Sequence, residues 1–268
     1  MRAQSFVHRA HGIDWYCERR GQGPDIVLVP SGEGDCASFE RVAEKLADQF
    51  TVLTFDMPGF SRTSVPADPA DFAGAKIGEQ VAALVRSLDV ANATFYGCSS
   101  GGLAVLWLAI NHPDLVRNAI VHEVAFDVRY GEEGMDALAG GLANLDDATI
   151  VKYCKVLFST IMNEDQDAWE NLGPEYHQRL EGNYANWVRR YVLSAPDLPI
   201  FAAEELKNRP VTWTIGGLTP ARAFFSNVRL TREAEIPIGL LNCKHFPQVS
   251  IPEALAEHIR ASALQFLL

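Results

Sequence analysis

No apolar run in this chain approaches the ~20 residues that a membrane-spanning helix needs, and its opening, MRAQSFVHRAHGIDWY, lacks the apolar stretch of a secretory signal. Lysine and arginine form no cluster: 23 basic residues are scattered among 34 acidic ones, for a net charge of −11. Such a surface repels a phosphate backbone, so nucleic acid is not an expected partner. Cysteine is sparse too. Cys17, Cys36, Cys98, Cys154 and Cys243 are odd in number and show neither CxxC spacing nor a Cys/His pairing suited to zinc. Reduced thiols packed as small hydrophobes are expected, in a cytoplasmic protein with no membrane partner, no metal and no cofactor. Repeats, low-complexity tracts and long linkers are also missing.

What is present is the make-up of an ordinary packed enzyme. At 268 residues, 48% hydrophobic and 21% charged, the chain can bury one sizeable core and carry an inserted subdomain. Asp25 to Pro30 (DIVLVP) and Thr51 to Met57 are short apolar runs that end in turn-rich SGEGD and PGFSR, as buried parallel strands do. Between them Phe39, Val42, Ala43 and Leu46 recur at helical spacing, which makes a βαβ unit. The pattern continues with a helix over about 73–88, the strand TFYG, a helix over about 101–111, and the strand AIVHE ending at Glu123. From about Phe126 to Leu206 the spacing turns helical throughout. Alternation resumes with VTWTIG, a helix around 220–228, the strand IPIGLLN and a closing amphipathic helix over 252–266.

These segments predict an α/β fold: a mostly parallel, doubly wound sheet with helices on both faces and a helical cap inserted after the sixth main strand. Residues 1–125 and 207–268 form the expected core and 126–206 the expected cap. GIDWYCER reads as an added antiparallel edge strand.

The most specific motif is Gly97-Cys98-Ser99-Ser100-Gly101, a G-x-S-x-G between a predicted strand and a predicted helix. A bare match in an arbitrary sequence is usually just a turn. Here the placement is that of a nucleophile elbow, whose tightness demands glycine two positions either side of the serine. Ser99 has that flanking pair; in the frame of Ser100 the earlier small position would be Cys98. The Ser100 amide, at a helix N-terminus, is an expected oxyanion-hole donor. Gly32, in the loop after DIVLVP, is the expected second donor, because glycine lets backbone approach a substrate oxygen.

A serine hydroxyl needs a base. His245 stands alone among the seven histidines in following the last strand and preceding the final helix, where an α/β-hydrolase supplies its base. The acid normally follows the seventh strand, yet Gly216, Gly217, Leu218, Thr219 and Pro220 contain no carboxylate. Glu123, at the carboxyl end of the strand beside the elbow, is assigned instead, with Asp127 as the alternative. His122 points to the other face of its strand and reads as a packed or hydrogen-bonded residue.

These residues resemble the zearalenone hydrolases, lactonases of the α/β-hydrolase fold that open the macrocyclic ester of a resorcylic acid lactone. The likeness runs nearly end to end, through Gly12 to Tyr16, Gly23 to Pro30, Thr54 to Arg62, Gly97 to Gly101, Val121-His122-Glu123, Asn183-Tyr184 with Trp187, and His245-Phe246-Pro247 with Val249-Ser250. It implies a triad of Ser99, Glu123 and His245, an oxyanion hole of Gly32 and Ser100, and Trp187 against the substrate ring. Without the likeness, Trp187 reads equally as a packing aromatic of the cap. Ser31 and Phe225 are further expected substrate contacts.

The chain departs from the family before the base, three residues after it and two after the acid. Lys244 replaces an apolar residue, Gln248 an aromatic and Ala125 a proline; the segment from Val128 to Glu133 is also more charged. The expected partner is a small-molecule ester or lactone, the expected state monomer or homodimer. Rival readings are a ligand sensor that retains the triad and a carbon–carbon bond hydrolase. Epoxide hydrolases and dehalogenases of this fold attack through a carboxylate, which Ser99 argues against.

Overall fold

Each short apolar run becomes a strand of one eight-stranded sheet in the computed structural model, which describes residues 2–125, 140–193 and 201–267. The strands are β1 (Gln4–Ala10), β2 (Ile13–Arg20), β3 (Asp25–Val29), β4 (Thr51–Phe55), β5 (Ala93–Cys98), β6 (Val116–His122), β7 (Val211–Gly216) and β8 (Ile238–Leu241). Their order is β1-β2-β4-β3-β5-β6-β7-β8. All pairings from β4 to β8 are parallel, while β1–β2 and β2–β4 are antiparallel.

The central strands are apolar without alternation because both faces are covered. Ile26 and Leu28 of β3 face α1 (Glu40–Leu46) and the last helix, where Val42, Leu46, Leu255 and Ile259 are buried. Val27 and Val29, pointing the opposite way, join Val81 and Leu84 of α2 (Ile77–Ser87) and Leu103 and Val105 of α3 (Ser100–Asn111). From β3 the chain proceeds to β4 on one side and later to β5 on the other. The sheet therefore reverses its order at β3/β5, and the crevice at the carboxyl ends of these strands is where ligands of such sheets bind.

Between β6 and β7 the described residues hold no strand. They form α4 (Asp147–Val156), α5 (Gln166–Glu170), α6 (Pro174–Trp187) and α7 (Ala203–Leu206), with π-helical turns at Leu157–Ile161 and Val188–Val192. After β7 come α8 (Phe225–Glu233), α9 (Pro247–Ser250) and α10 (Pro252–Gln265). Asp127 and the Val128–Glu133 segment lie outside the described residues.

Two expectations are corrected. GIDWYCER is β2, an inner strand; the sheet edge is β1, which pairs with it from Gln4↔Arg19 to Ala10↔Ile13. β1 leaves little hydrophobic trace because most of its side chains are exposed or half-exposed, Val7 among them. The helix expected around 220–228 begins as a 3-10 turn at Ala221–Phe224 and runs as α8 to Glu233.

Candidate active site

The turn from β5 into α3 is made at Ser99, whose φ of 55° and ψ of −121° are strained for a residue with a side chain. A Cβ at Gly97 would stand 2.4 Å from the Gly101 backbone, and one at Gly101 2.4 Å from the Pro30 carbonyl oxygen. Glycine at both positions is thus required by backbone contact. The Ser99 amide donates to the His122 carbonyl at 3.0 Å, tying the elbow to the end of β6. Ser99 itself is half-buried, and Ser100 opens α3.

Glu123 follows β6 with a φ of 41°. Its amide donates to the Thr214 carbonyl at 3.0 Å. Asn227 of α8 brackets the next residue, accepting from the Val124 amide at 2.9 Å and donating to its carbonyl at 3.0 Å. So held, the fully buried carboxylate accepts from His245 Nδ1 at 2.6 Å through Oε2 and from the Gly216 amide at 2.8 Å through Oε1. Burial works to raise its pKa; the hydrogen bond and charge of His245, with His122 and the Gly216 amide, outweigh it and leave the carboxyl below its ordinary value.

Gly216 also explains the missing acid after β7. A Cβ there would lie 2.9 Å from Glu123 Oε1, 2.5 Å from the Cys243 carbonyl and 2.7 Å from the Lys244 carbonyl. The strand end that lacks a carboxylate is the space into which the Glu123 carboxylate reaches.

His245 is buried. Its amide donates to the Met162 carbonyl at 3.0 Å, and its carbonyl accepts from the Cys98 thiol at 3.1 Å, which sets the loop against the residue preceding Ser99. Phe224 stacks on the ring at 5.5 Å between centroids and 15° between planes. With Nδ1 donating to Glu123, Nε2 is the nitrogen free to accept a proton. His122, one residue before the acid, is hydrogen-bonded through Nδ1 to the Thr214 hydroxyl at 2.9 Å and lies 3.4 Å from the Lys244 carbonyl. Burial is the main reason that its pKa falls to about 4, so it stays neutral.

The loop after β3 brings Ser31, Gly32 and Glu33 to the same end of the sheet, all buried. Trp187 packs directly on it: a Cβ at Gly32 would fall 2.3 Å from the indole Nε1. From the same helix, Asn183 donates to the Glu33 carbonyl and the Ser61 hydroxyl, both at 2.8 Å, and accepts from the Ser61 amide at 2.8 Å. Below the loop, Asp35 and Asp56 are fully buried. Arg62 reaches Asp56 at 2.7 Å and Asp35 at 3.2 Å, and Arg179 reaches Asp35 at 2.6 Å. Sequence reasoning missed this ion network and the buried Glu33. The only prior hint was an acidic SGEGD turn followed by FDMPGFSR, which does not say that the charges face inward.

A cavity of about 280 Å³ adjoins His245, lined by Leu157, Ile161, Met162, Pro220, Phe224 and Lys244 among others. Leu157 and Ile161 belong to the first π-helical turn, a feature that gathers at functional sites. A larger hollow of about 400 Å³ sits away from it between Arg20, Arg62, Arg179 and their acidic partners. The cavity beside the histidine is therefore the candidate binding space. Phe225 does not reach it: at 61% exposure it faces solvent, and its neighbour Phe224 supplies the ring. Among the described residues no three His, Cys, Asp or Glu side chains converge as a metal ion would need, and no helix is long and apolar enough to cross a membrane. All five cysteines are free and buried.

A strained serine elbow on a parallel sheet, with the histidine that follows β8 paired across the end of β7 to the carboxylate that follows β6, defines the class: an α/β hydrolase. The family model for the alpha/beta hydrolase fold matches residues 24–145. Solved structures agree on the fold alone. A membrane phospholipase A is 19% identical, with a TM-score of 0.80 over 99% of this chain and 87% of its own, and an epoxide hydrolase from Vigna radiata 15% identical, with 0.78 over 98% of each. Over the full length, the zearalenone hydrolase of Bionectria ochroleuca is 37% identical across 97% of both chains. That of Cladophialophora bantiana is 36% identical across 99% of this chain and 98% of its own. The chain belongs to the zearalenone hydrolase family, and it is a hydrolase.

Proposed function

We propose that the protein is a serine hydrolase of carboxylic esters, a lactonase that opens zearalenone or a related macrocyclic lactone through an acyl-enzyme. The observation that carries this reading is the 2.6 Å bond from His245 Nδ1 to the buried Glu123 carboxylate, beside an elbow whose serine is held at positive φ. Two relatives of similar length named zearalenone hydrolases support the substrate.

In this mechanism His245 Nε2 takes the Ser99 hydroxyl proton as Oγ attacks the ester carbonyl, and the amides of Gly32 and Ser100 hold the oxyanion. Glu123 keeps the imidazole in the tautomer that can accept and stabilises the imidazolium. The carbon–oxygen bond of the ring breaks, and its oxygen leaves with the proton from His245. Water then attacks the acyl carbon, gives its proton to His245 and releases a hydroxy acid with Ser99 restored. Residues 126–206 act as the cap over this site, on the core formed by 1–125 and 207–268, and Trp187 and Ser31 meet the substrate.

The test is mass spectrometry of zearalenone incubated with the protein, beside Ser99→Ala and a simple aryl ester. Gain of one water that disappears in Ser99→Ala supports the reading. Cleavage of the aryl ester alone keeps the triad and rejects the substrate; near-normal turnover by Ser99→Ala rejects the mechanism.

A further inference from the structure

The residue before the base is a lysine in a wall that is mostly apolar. Leu157, Ile161, Met162, Pro220, Ala223 and Phe224 line the cavity of about 280 Å³ with Thr219, Lys244 and His245. Polar groups that are few in an apolar cavity fix the orientation and identity of what binds there.

Lys244 is anchored by neutral groups. Its ammonium donates to the carbonyls of Thr160 at 3.0 Å and Asn163 at 3.3 Å, at the end of the first π-helical turn. Its backbone amide donates to Glu164 Oε2 at 2.8 Å, while Glu164 Oε1 is buried with no hydrogen-bond partner. Among the described residues no carboxylate pairs with the ammonium. An ammonium has three donors and two are used by these carbonyls, so one N–H remains. The side chain is half-buried at the cavity wall, where screening by water is reduced.

The anchor also fixes where the charge lies. Lys244 adjoins His245 in sequence, and its ammonium is held by the carbonyls of residues 160 and 163. Its effect is on which substrate settles, not on the reacting atoms. One positive charge in a small apolar cavity matches one negative charge. A doubly charged phosphate would leave a charge uncompensated inside a chain of net charge −11.

We propose that Lys244 makes this cavity a site for esters or lactones bearing a carboxylate: the apolar body lies against Leu157, Met162 and Phe224, and the carboxylate accepts the third N–H of Lys244. The proposal rests on the serine hydrolase reading and adds the charge of the substrate to it. It also gives the departure at residue 244 a function, since an apolar residue there would leave no partner for a carboxylate.

The test compares two matched substrates: the mono-nitrophenyl ester of suberic acid, which ends in a carboxylate, and the nitrophenyl ester of its monoamide. The wild-type protein is expected to favour the carboxylate ester in kcat/KM. Lys244→Met should shrink that preference by about ten- to a hundredfold, the range of one charge-assisted hydrogen bond, mainly through KM. Lys244→Arg should restore part of it, and rising salt should erode it in the wild type but not in Lys244→Met.

A preference unchanged in Lys244→Met, or both substrates slowed by the same factor, overturns the proposal and leaves Lys244 as a strap for the π-helical turn. Calorimetric binding of the free suberate monoamide and of octanamide to Ser99→Ala separates the two readings. Binding of the carboxylate that depends on Lys244 upholds the subsite even if Ser99→Ala still turns over esters and the proposed mechanism fails.

Discussion

Gly216→Ala tests whether the empty strand end after β7 exists to admit Glu123. The new methyl carbon would meet the Cys243 carbonyl at 2.5 Å, the Lys244 carbonyl at 2.7 Å and Glu123 Oε1 at 2.9 Å. Two of these are backbone atoms just before His245 and cannot retreat without carrying the histidine. The third belongs to the carboxylate that holds it. Gly216 has no positive φ, so the backbone tolerates alanine and the whole effect comes from these contacts. Overpacking of this kind costs about 1–3 kcal/mol of stability. Relief requires the acid and base to part by a fraction of an ångström up to about 1 Å, a misplacement that can cost on the order of a hundredfold in rate. Gly217→Ala is the matched control, since its methyl meets nothing closer than the Leu241 carbonyl at 3.3 Å. Urea unfolding and nitrophenyl ester hydrolysis should show a lower midpoint and a much lower kcat for Gly216→Ala, with Gly217→Ala near the parent. A Gly216→Ala rate within about threefold of the parent's, under ~1 kcal/mol of barrier, would refute the reasoning.

Three further outcomes follow from the same geometry. Because His122 is held near 4 when folded and returns to about 6.5 unfolded, the unfolded chain binds the extra proton between these values. Stability should rise with pH across that window and be lost as pH falls through it, by an amount on the order of 3 kcal/mol; the depressed Glu123 acts in the same direction at lower pH. Urea midpoints that are flat between pH 4 and about 6.5 would contradict this. Asn227→Ala strands the Val124 amide and carbonyl and the Trp213 indole N–H, all buried. It should destabilise by roughly 3 kcal/mol or more and lower kcat by loosening the segment that carries Glu123, whereas an unchanged midpoint would show that these groups find other partners. Glu123→Gln should leave the fold intact and reduce kcat by on the order of ten-thousandfold, because an amide can hold the wrong imidazole tautomer; a loss under tenfold would hand the role of acid to another residue.

The sheet was legible because its signal is local. Runs such as DIVLV and ATFYGC announce strands covered on both faces, and the helical spacing between them announces the covers. The elbow was legible for the same reason: glycine, serine and glycine at fixed offsets between a strand and a helix state the backbone conformation that they permit. β1 was not, since a strand at a solvated edge has no hydrophobic alternation to display. Phe225 was expected to meet the substrate and instead faces solvent, because neighbouring positions at the start of a helix point in different directions, and which one meets the cavity is set by how α8 packs.

The sequence by itself determined the class of fold, the position of Ser99 and the loop that carries His245. It also showed that Glu123 ends the strand beside the elbow and that no carboxylate follows β7. Only the tertiary structure decided that the glycine at that strand end is the room the Glu123 carboxylate occupies, with His245 122 residues away bonded to it. It alone decided that Trp187 rests on Gly32, that Asp35 and Asp56 are neutralised inward by Arg62 and Arg179, and that the Lys244 ammonium is held by the Thr160 and Asn163 carbonyls. The physical reason is range. Periodicity and glycine placement report what a residue does to its own backbone, whereas a hydrogen bond across the sheet depends on register and packing that no single segment encodes.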